Sequence, residues 1–367
     1  MTLLRLSSVA LSRSRFAISP LAETIGCLIT LQRRRSEPWL APWVARHEAS
    51  FRDWLAGDAV AGGLVPLLAA TKWLPDYVAV PPADGVRTRL ADELAVVAAH
   101  PDEDVTAMTA PAVAASWEQP DTRWLSLGNL GPRVAAVLDE GWARFVEPDW
   151  ARRRAILERD IMYRAGLLAA YGWQHAINDM HTKLSWVGED AIAFSRQDYP
   201  DRWVEDDGLV FVPYTCGGGQ WTCERPPNYA LVYPAWGVAA GQDATGSDAA
   251  ARLLGPGRAR VLRQLAQPAT STQLASVLGI SLGTVSDHLA VLRDSGIVTG
   301  TRAGRNVVYR LTARGERLQA LLADPPSDGG DLPAPGPGTP VPAEAKRRAA
   351  AKSCTRCRCR CCQKVHP

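Results

Sequence analysis

Between Ser281 and His288 the chain gathers side chains that can hydrogen-bond a polyanion: Ser281, Thr284, Ser286, Asp287 and His288, with Gly283 among them. Hydroxyls at this spacing can bond phosphate oxygens or base edges, and Asp287 can accept from a cytosine amino group while repelling phosphate. Gly283 is small enough for the start of a helix to approach a partner closely. Arg302 and Arg305 follow, and arginine is favoured where a narrow minor groove concentrates negative potential. The surrounding segment is strongly basic. Residues 251–323 hold ten arginines against Asp287, Asp294 and Glu316, a net +7, whereas residues 1–250 hold 23 Lys and Arg against 31 Asp and Glu, a net −8. Such segregation suits a surface that neutralises phosphates, and it would equally suit an acidic protein partner.

A helix is needed to present these residues, and the apolar spacing predicts one. Leu253, Leu254, Val261, Leu262 and Leu265 form one helical stripe ended by Pro268. Thr270 or Ser271 caps a second helix through Leu274, Ala275 and Leu278, which Gly279 stops. After a short turn with Ile280 pointing inward, Ser281 starts a third helix whose buried face is Val285, Leu289 and Leu292, ended by Gly296. Two β-prone runs, GIVTGTR and NVVYRLT, are joined by Ala303-Gly304-Arg305 and predict a hairpin with a basic tip.

Through LGPGRARVLRQLAQPATSTQLASVLGISLGTVSDHLAVLRDSGIVTGTRAGRNVVYRLT the chain resembles the arsenical-resistance-repressor (ArsR) family of winged helix-turn-helix regulators. The resemblance implies a homodimer that represses promoters on double-stranded DNA, with the recognition helix at residues 281–295 and the wing at 298–311. Metal-sensing members place paired Cys at the recognition helix, or His and Asp on the last helix. Residues 251–323 contain no Cys and only His288, so no metal ligand is assigned to this segment. Further stretches, SRSRFAISPLAETIGCLITL, LPDYVAVPP, LVFVPYTCGGGQWTC and ALVYPAWG, resemble a module fused ahead of such winged helices in actinobacterial-type regulators. Where such members read YPARG, this chain has Trp236 in place of the Arg.

The preceding region is less explicit. All thirteen Trp lie between Trp39 and Trp236. They belong to a core by default, or else line a pocket for an apolar or cationic effector. The first 185 residues read mostly helical, and AIAFS, LVFVPYT and YALVYP read as strands of a small sheet. The run Cys216-Gly217-Gly218-Gly219-Gln220 lacks the Lys-Ser/Thr of a phosphate-binding loop and reads as a connection between strands. His175 and Asp179 would share a helical face, with His181 off it, and are read as a helix end rather than a metal or acid-base site. Arg33 to Arg35 and Arg152 to Arg154 are read as solvated helix faces. Cys27, Cys216 and Cys223 are too scattered to predict a disulfide framework. In the tail, Cys354, Cys357, Cys359, Cys361 and Cys362 offer half a zinc site without the other half.

The expected fold is therefore mainly α, of the α+β kind: a helical N-terminal domain with a small β element, a winged helix-turn-helix, and a disordered tail. The expected boundaries are residues 1–240 for a regulatory, effector-binding or dimerisation region, 241–250 for a linker, 251–323 for the winged domain and 324–367 for a Pro/Gly-rich and Cys-rich tail. No catalytic residue, metal or cofactor is assigned, and a cytoplasmic chain with no membrane partner is expected. Two rivals stand beside the DNA-binding regulator: a small-molecule enzyme with an appended winged helix, and a protein-interaction module.

Overall fold

The computed structural model describes residues 2–34, 40–180, 184–195, 200–217, 219–235, 249–303 and 306–322. Expectations that fall on Arg35, His181, Gly218, Trp236, Gly304, Arg305, residues 241–248 of the expected 241–250 linker and the tail lie outside these residues. Residues 1–323 form one compact unit.

The chain opens with β1 (Thr2–Leu6), α1 (Ser8–Arg13) and β2 (Arg15–Phe16) before the helical part begins with α2 (Pro20–Arg33). Ser19 caps α2 by accepting from Ala22 N–H, Pro20 occupies its first turn, and Leu21, Ile25 and Leu28 recur at the spacing that buries one face. Next come α3 (Ala41–Gly57) and α4 (Ala59–Ala70), the latter capped by Asp58, which accepts from Val60 and Ala61 N–H. The helical layer is completed by α5 (Leu90–Ala98), α6 (Asp102–Ala114) and α7 (Leu130–Phe145), around a core that includes Leu64, Trp54, Trp124, Val134 and Phe145. α8 (Trp150–Asn178) follows, broken at Gly172, whose φ of 80° and ψ of 177° are not helical.

Six strands come next: β3 (Ser185–Val187), β4 (Ala191–Ser195), β5 (Arg202–Val204), β6 (Leu209–Tyr214), β7 (Trp221–Arg225) and β8 (Asn228–Pro234). Instead of one small sheet they form two four-stranded sheets, ordered β3-β4-β1-β5 and β2-β6-β8-β7, each completed by a strand from the first sixteen residues. β6 runs parallel to both β2 and β8. Its six residues are all buried, because Val210, Val212 and Tyr214 join the helical core while Leu209 and Phe211 join a second core behind the sheet. A continuous apolar run is the signature of a strand covered on both faces.

The C-terminal part contains α9 (Ala249–Leu254), α10 (Pro256–Gln264), β9 (Ala269–Thr270), α11 (Ser271–Leu278), α12 (Leu282–Asp294), β10 (Val298–Ala303), β11 (Asn306–Leu311) and α13 (Ala313–Leu322). The single stripe expected from Leu253 to Leu265 is two helices. Gly255 takes φ 81° and Pro256 begins α10, since proline lacks the N–H that an uninterrupted helix would require. Leu253 is accordingly exposed rather than packed. No single helix among the described residues is long and apolar enough to cross a membrane.

Candidate nucleic-acid interface

α11 and α12 are fixed by local chemistry. Thr270 and Gln273 form a reciprocal cap: Gln273 N–H donates to Thr270 Oγ1 at 3.2 Å and Thr270 N–H donates to Gln273 Oε1 at 2.9 Å. Gly279, at φ 64°, ends α11, and the chain direction turns by 117° into α12, within the range of helix-turn-helix pairs. Arg260 on α10 donates to Leu278 O at 2.8 Å, filling a carbonyl at the C-terminal end of α11. Val285, Leu289 and Leu292 anchor α12 in a core with Val261, Leu265, Leu274, Leu278 and Val298.

With that face buried, the opposite face of the first two turns is free. Ser281, Leu282, Gly283, Thr284, Ser286 and Asp287 are all exposed. Ser281 caps the helix by accepting from Thr284 N–H at 3.1 Å, its hydroxyl lies 2.8 Å from that of Thr284, and Ser286 donates to Leu282 O at 2.9 Å. His288 differs from its neighbours: it is half-buried, and a Cβ built on Gly257 would lie 2.4 Å from its Nε2, so the ring packs on the first turn of α10. β10 and β11 pair antiparallel from Val298↔Leu311 to Ala303↔Asn306, and β11 also pairs with β9. Arg302 and Arg310 are exposed on this hairpin, and Arg305, expected at its tip, lies outside the described residues. The sequence reading did not single out Leu282 or Arg310. Leu282 is apolar by type, and only the direction of α12 shows it 49% exposed beside the polar cluster.

Residues 253–301 match the model of a helix-turn-helix domain. The chain carries an ArsR-like helix-turn-helix domain. It is 45% identical over 60 residues to the HTH-type transcriptional regulator NmtR of Mycobacterium tuberculosis, covering 16% of this chain and 50% of that protein. To the HTH-type transcriptional repressor SmtB of the same species it is 39% identical over 69 residues, covering 17% and 51%. To the HTH-type transcriptional regulator CmtR of Mycobacterium bovis it is 40% identical over 78 residues, covering 19% and 66%. The chain thus spans about half the length of the first of these relatives. No solved structure matches it.

Ahead of the helix-turn-helix domain, two groups of tryptophans stand apart. Trp43, Trp54 and Trp124 are buried in the helical core, whereas Trp73, Trp117 and Trp221 line a cavity of about 330 Å³ together with Phe194 and Tyr214. Arg33 and Arg202 enter the same cavity. Arg33 Nε donates to Ala69 O at 2.7 Å and its guanidinium lies over Trp117 at 5.4 Å, with burial lowering its pKa. Arg202 pairs with Glu224 and sits 5.2 Å over Trp73. Burial, reinforced by nearby Glu224, raises the pKa of Asp76 in the cavity wall. The expected helix end at His175 and Asp179 is capped and paired: Asp179 N–H donates to His175 O, its carboxylate meets Arg164 at 2.5 Å, and His175 packs on Tyr171.

One expectation is corrected. Arg153 is not on a solvated face: it is buried, and its Nη1 donates to Glu23 Oε1 at 2.7 Å. The partners of Arg153, Glu23 and Thr215, lie far away in sequence, so a short basic run gave no sign of them. Arg33 is exposed, as a solvated face requires, although its guanidinium donates to Ala69 O and lies over Trp117.

Proposed function

We propose that the chain is a sequence-specific DNA-binding transcriptional regulator that acts as a homodimer and represses by occluding its promoter. α12 enters the major groove, where Ser281, Gly283, Thr284, Ser286 and Asp287 face bases and phosphates and Leu282 can meet a thymine methyl group. The β10–β11 hairpin is the wing, with Arg302 and Arg305 on the flanking minor groove. His288 contributes by setting α12 against α10. The exposed polar start of α12, flanked by exposed arginines in a segment of net +7, carries this reading. Two copies would place two recognition helices about one DNA turn apart.

The cavity is the proposed effector site. Its volume lies near the lower end for small-molecule pockets, and its aromatic walls suit a planar ligand. Arg33, Lys72 and Arg202 outnumber Asp76 and Glu224 there, which favours a neutral or anionic aromatic molecule over a cationic one.

The test is a fluorescence-anisotropy titration of the full chain against its own upstream DNA and a scrambled duplex at two salt concentrations. Tighter binding to the upstream DNA with a steep salt dependence is expected. Arg302→Ala should weaken binding to both duplexes and lower the logarithmic salt slope by about one. Equal, weak binding of the unmodified chain to both duplexes would overturn the reading.

A further inference from the structure

Cys27 and Cys216 stand 189 residues apart in sequence, yet their sulfurs lie 3.2 Å apart. Neither side chain reaches solvent. Cys27 belongs to α2, and Cys216 lies near the start of the loop between β6 and β7. A ring of polar groups surrounds the pair. Arg153, on α8, reaches Cys216 Sγ at 3.5 Å and Glu23 Oε1 at 2.7 Å, while Thr215 N–H donates to Glu23 Oε2 at 2.8 Å. Cys27 Sγ is 3.8 Å from the same Glu23 oxygen.

Glu23, Cys27 and Cys216 bring their ligand atoms within 4.8 Å of one another, which by itself resembles a metal site. The guanidinium decides against one. It is already hydrogen-bonded to two of the three would-be ligands, so the positive charge a metal would supply is already present. What that charge favours is a thiolate. At Cys216 burial opposes ionisation, but the hydrogen bond from Cys27 and the Arg153 charge outweigh it and lower the pKa. At Cys27 burial and the bond to Cys216 raise it, so the proton stays there.

We propose that Cys27 and Cys216 are a modification site, a dithiol that hydrogen peroxide converts to a reversible disulfide. An S–S bond is about 2.05 Å long, so the two sulfurs need approach by only about 1.2 Å, a shift that side-chain torsions can supply. Access is through the cavity: Gly26 and Gly217, the chain neighbours of the two cysteines, line it, and peroxide is close to water in size. The Cys216 thiolate attacks one peroxide oxygen, the O–O bond breaks, and the departing hydroxide takes up the proton that Cys216 released on ionising and leaves as water. Cys27 sulfur then attacks the sulfenic sulfur of Cys216. The S–S bond forms, the S–O bond breaks, and hydroxide leaves with the Cys27 proton as a second water. Two electrons pass from the two sulfurs to the two peroxide oxygens. Glu23 and Arg153 hold the pair in register and do not change oxidation state.

The full chain, first fully reduced, is exposed to hydrogen peroxide, then denatured, alkylated and mapped by peptide mass. The expected result is a cross-link of Cys27 to Cys216 with the loss of two hydrogens, reversed by dithiothreitol and retained in Cys223→Ser. Cys27→Ser should leave Cys216 as a sulfenic acid that dimedone traps. The five tail cysteines report indiscriminate oxidation in the same digest. Oxidation confined to the tail, with Cys27 and Cys216 both alkylated, would overturn the proposal. So would equimolar zinc that is lost in Cys216→Ser. The map of the unmodified chain decides the matter even if the serine variants do not fold.

Discussion

Glu93 gives the sharpest test of how the helical layer is held together. It lies in the first turn of α5, only 2% exposed, where its carboxyl accepts from Ser19 Oγ at 2.5 Å and from Leu21 N–H at 2.9 Å, tying α5 to the start of α2. Burial outweighs these two hydrogen bonds and raises its pKa from 4.5 to about 8. The folded chain therefore keeps this proton where the unfolded chain has released it. Between those two values the folded state binds more protons, so this group's contribution to stability is complete below about pH 4.5 and is lost as pH rises to about 8. At 1.36 kcal/mol per pKa unit the whole window is worth roughly 5 kcal/mol, and the part between about pH 5 and pH 8 about 3 kcal/mol. Glu93→Gln keeps the size and the acceptor for Leu21, and the Ser19 hydroxyl can rotate to accept from the new amide. Urea unfolding, followed by tryptophan fluorescence at several pH values, should show the variant gaining on the unmodified chain by about 3 kcal/mol across that range. Taking the difference cancels every other titrating group. If the two proteins instead ran parallel with pH, Glu93 would be ionised in the fold and the dry contact between α2 and α5 would be wrong.

Two further predictions concern the helix-turn-helix domain. Thr284→Ala and Asp287→Ala should leave the fold intact, because both side chains are exposed, and should change which bases are preferred by about 1–3 kcal/mol per lost contact, read from binding to a panel of single-base operator variants. Gly315→Ala should act through the fold: a Cβ there would lie 2.2 Å from Ile297 O, so α13 must move off the start of β10, at a cost of about 1–3 kcal/mol seen as a lowered thermal midpoint.

The helix-turn-helix was legible in the sequence because its determinants are local. Thr270 with Gln273, Gly279, Ser281 and Gly296 each act within four residues of themselves, and three apolar stripes share one core. The break at Gly255-Pro256 was also written there, as a glycine before a proline, and was obscured by leucines that happened to keep helical spacing across it. The N-terminal architecture was not legible in the same way. β1 pairs with β4 and β5 nearly two hundred residues later, so nothing adjacent to Thr2–Leu6 specifies it as an inner strand. Arg153 was read from its arginine neighbours, but its position is set by Glu23, 130 residues earlier, and by Thr215. Burial of a charge is decided by its partner, and sequence spacing does not reveal partners of that kind.

The same long-range pairs give the molecule a continuous path between its two kinds of site. Arg33 on α2 reaches the cavity, Glu23 on α2 holds Arg153 on α8, and Arg159 on α8 donates to Gln264 Oε1 at 2.6 Å and to the Gln264 carbonyl. Gln264 ends α10, whose first turn packs on His288 of α12. Continuity alone does not couple sites: a ligand shifts DNA affinity only if it binds two arrangements unequally. Arg159 makes the observed arrangement costly to leave. Burial lowers its pKa to about 10, and its guanidinium is hydrogen-bonded to Gln264 through both the side-chain and the backbone oxygen. Moving α10 away would strand a buried guanidinium at a cost of several kcal/mol, unless the same movement opened it to water. The joint between α8 and α10 therefore resists opening, so a displacement of α8 is passed to α10 rather than absorbed between them.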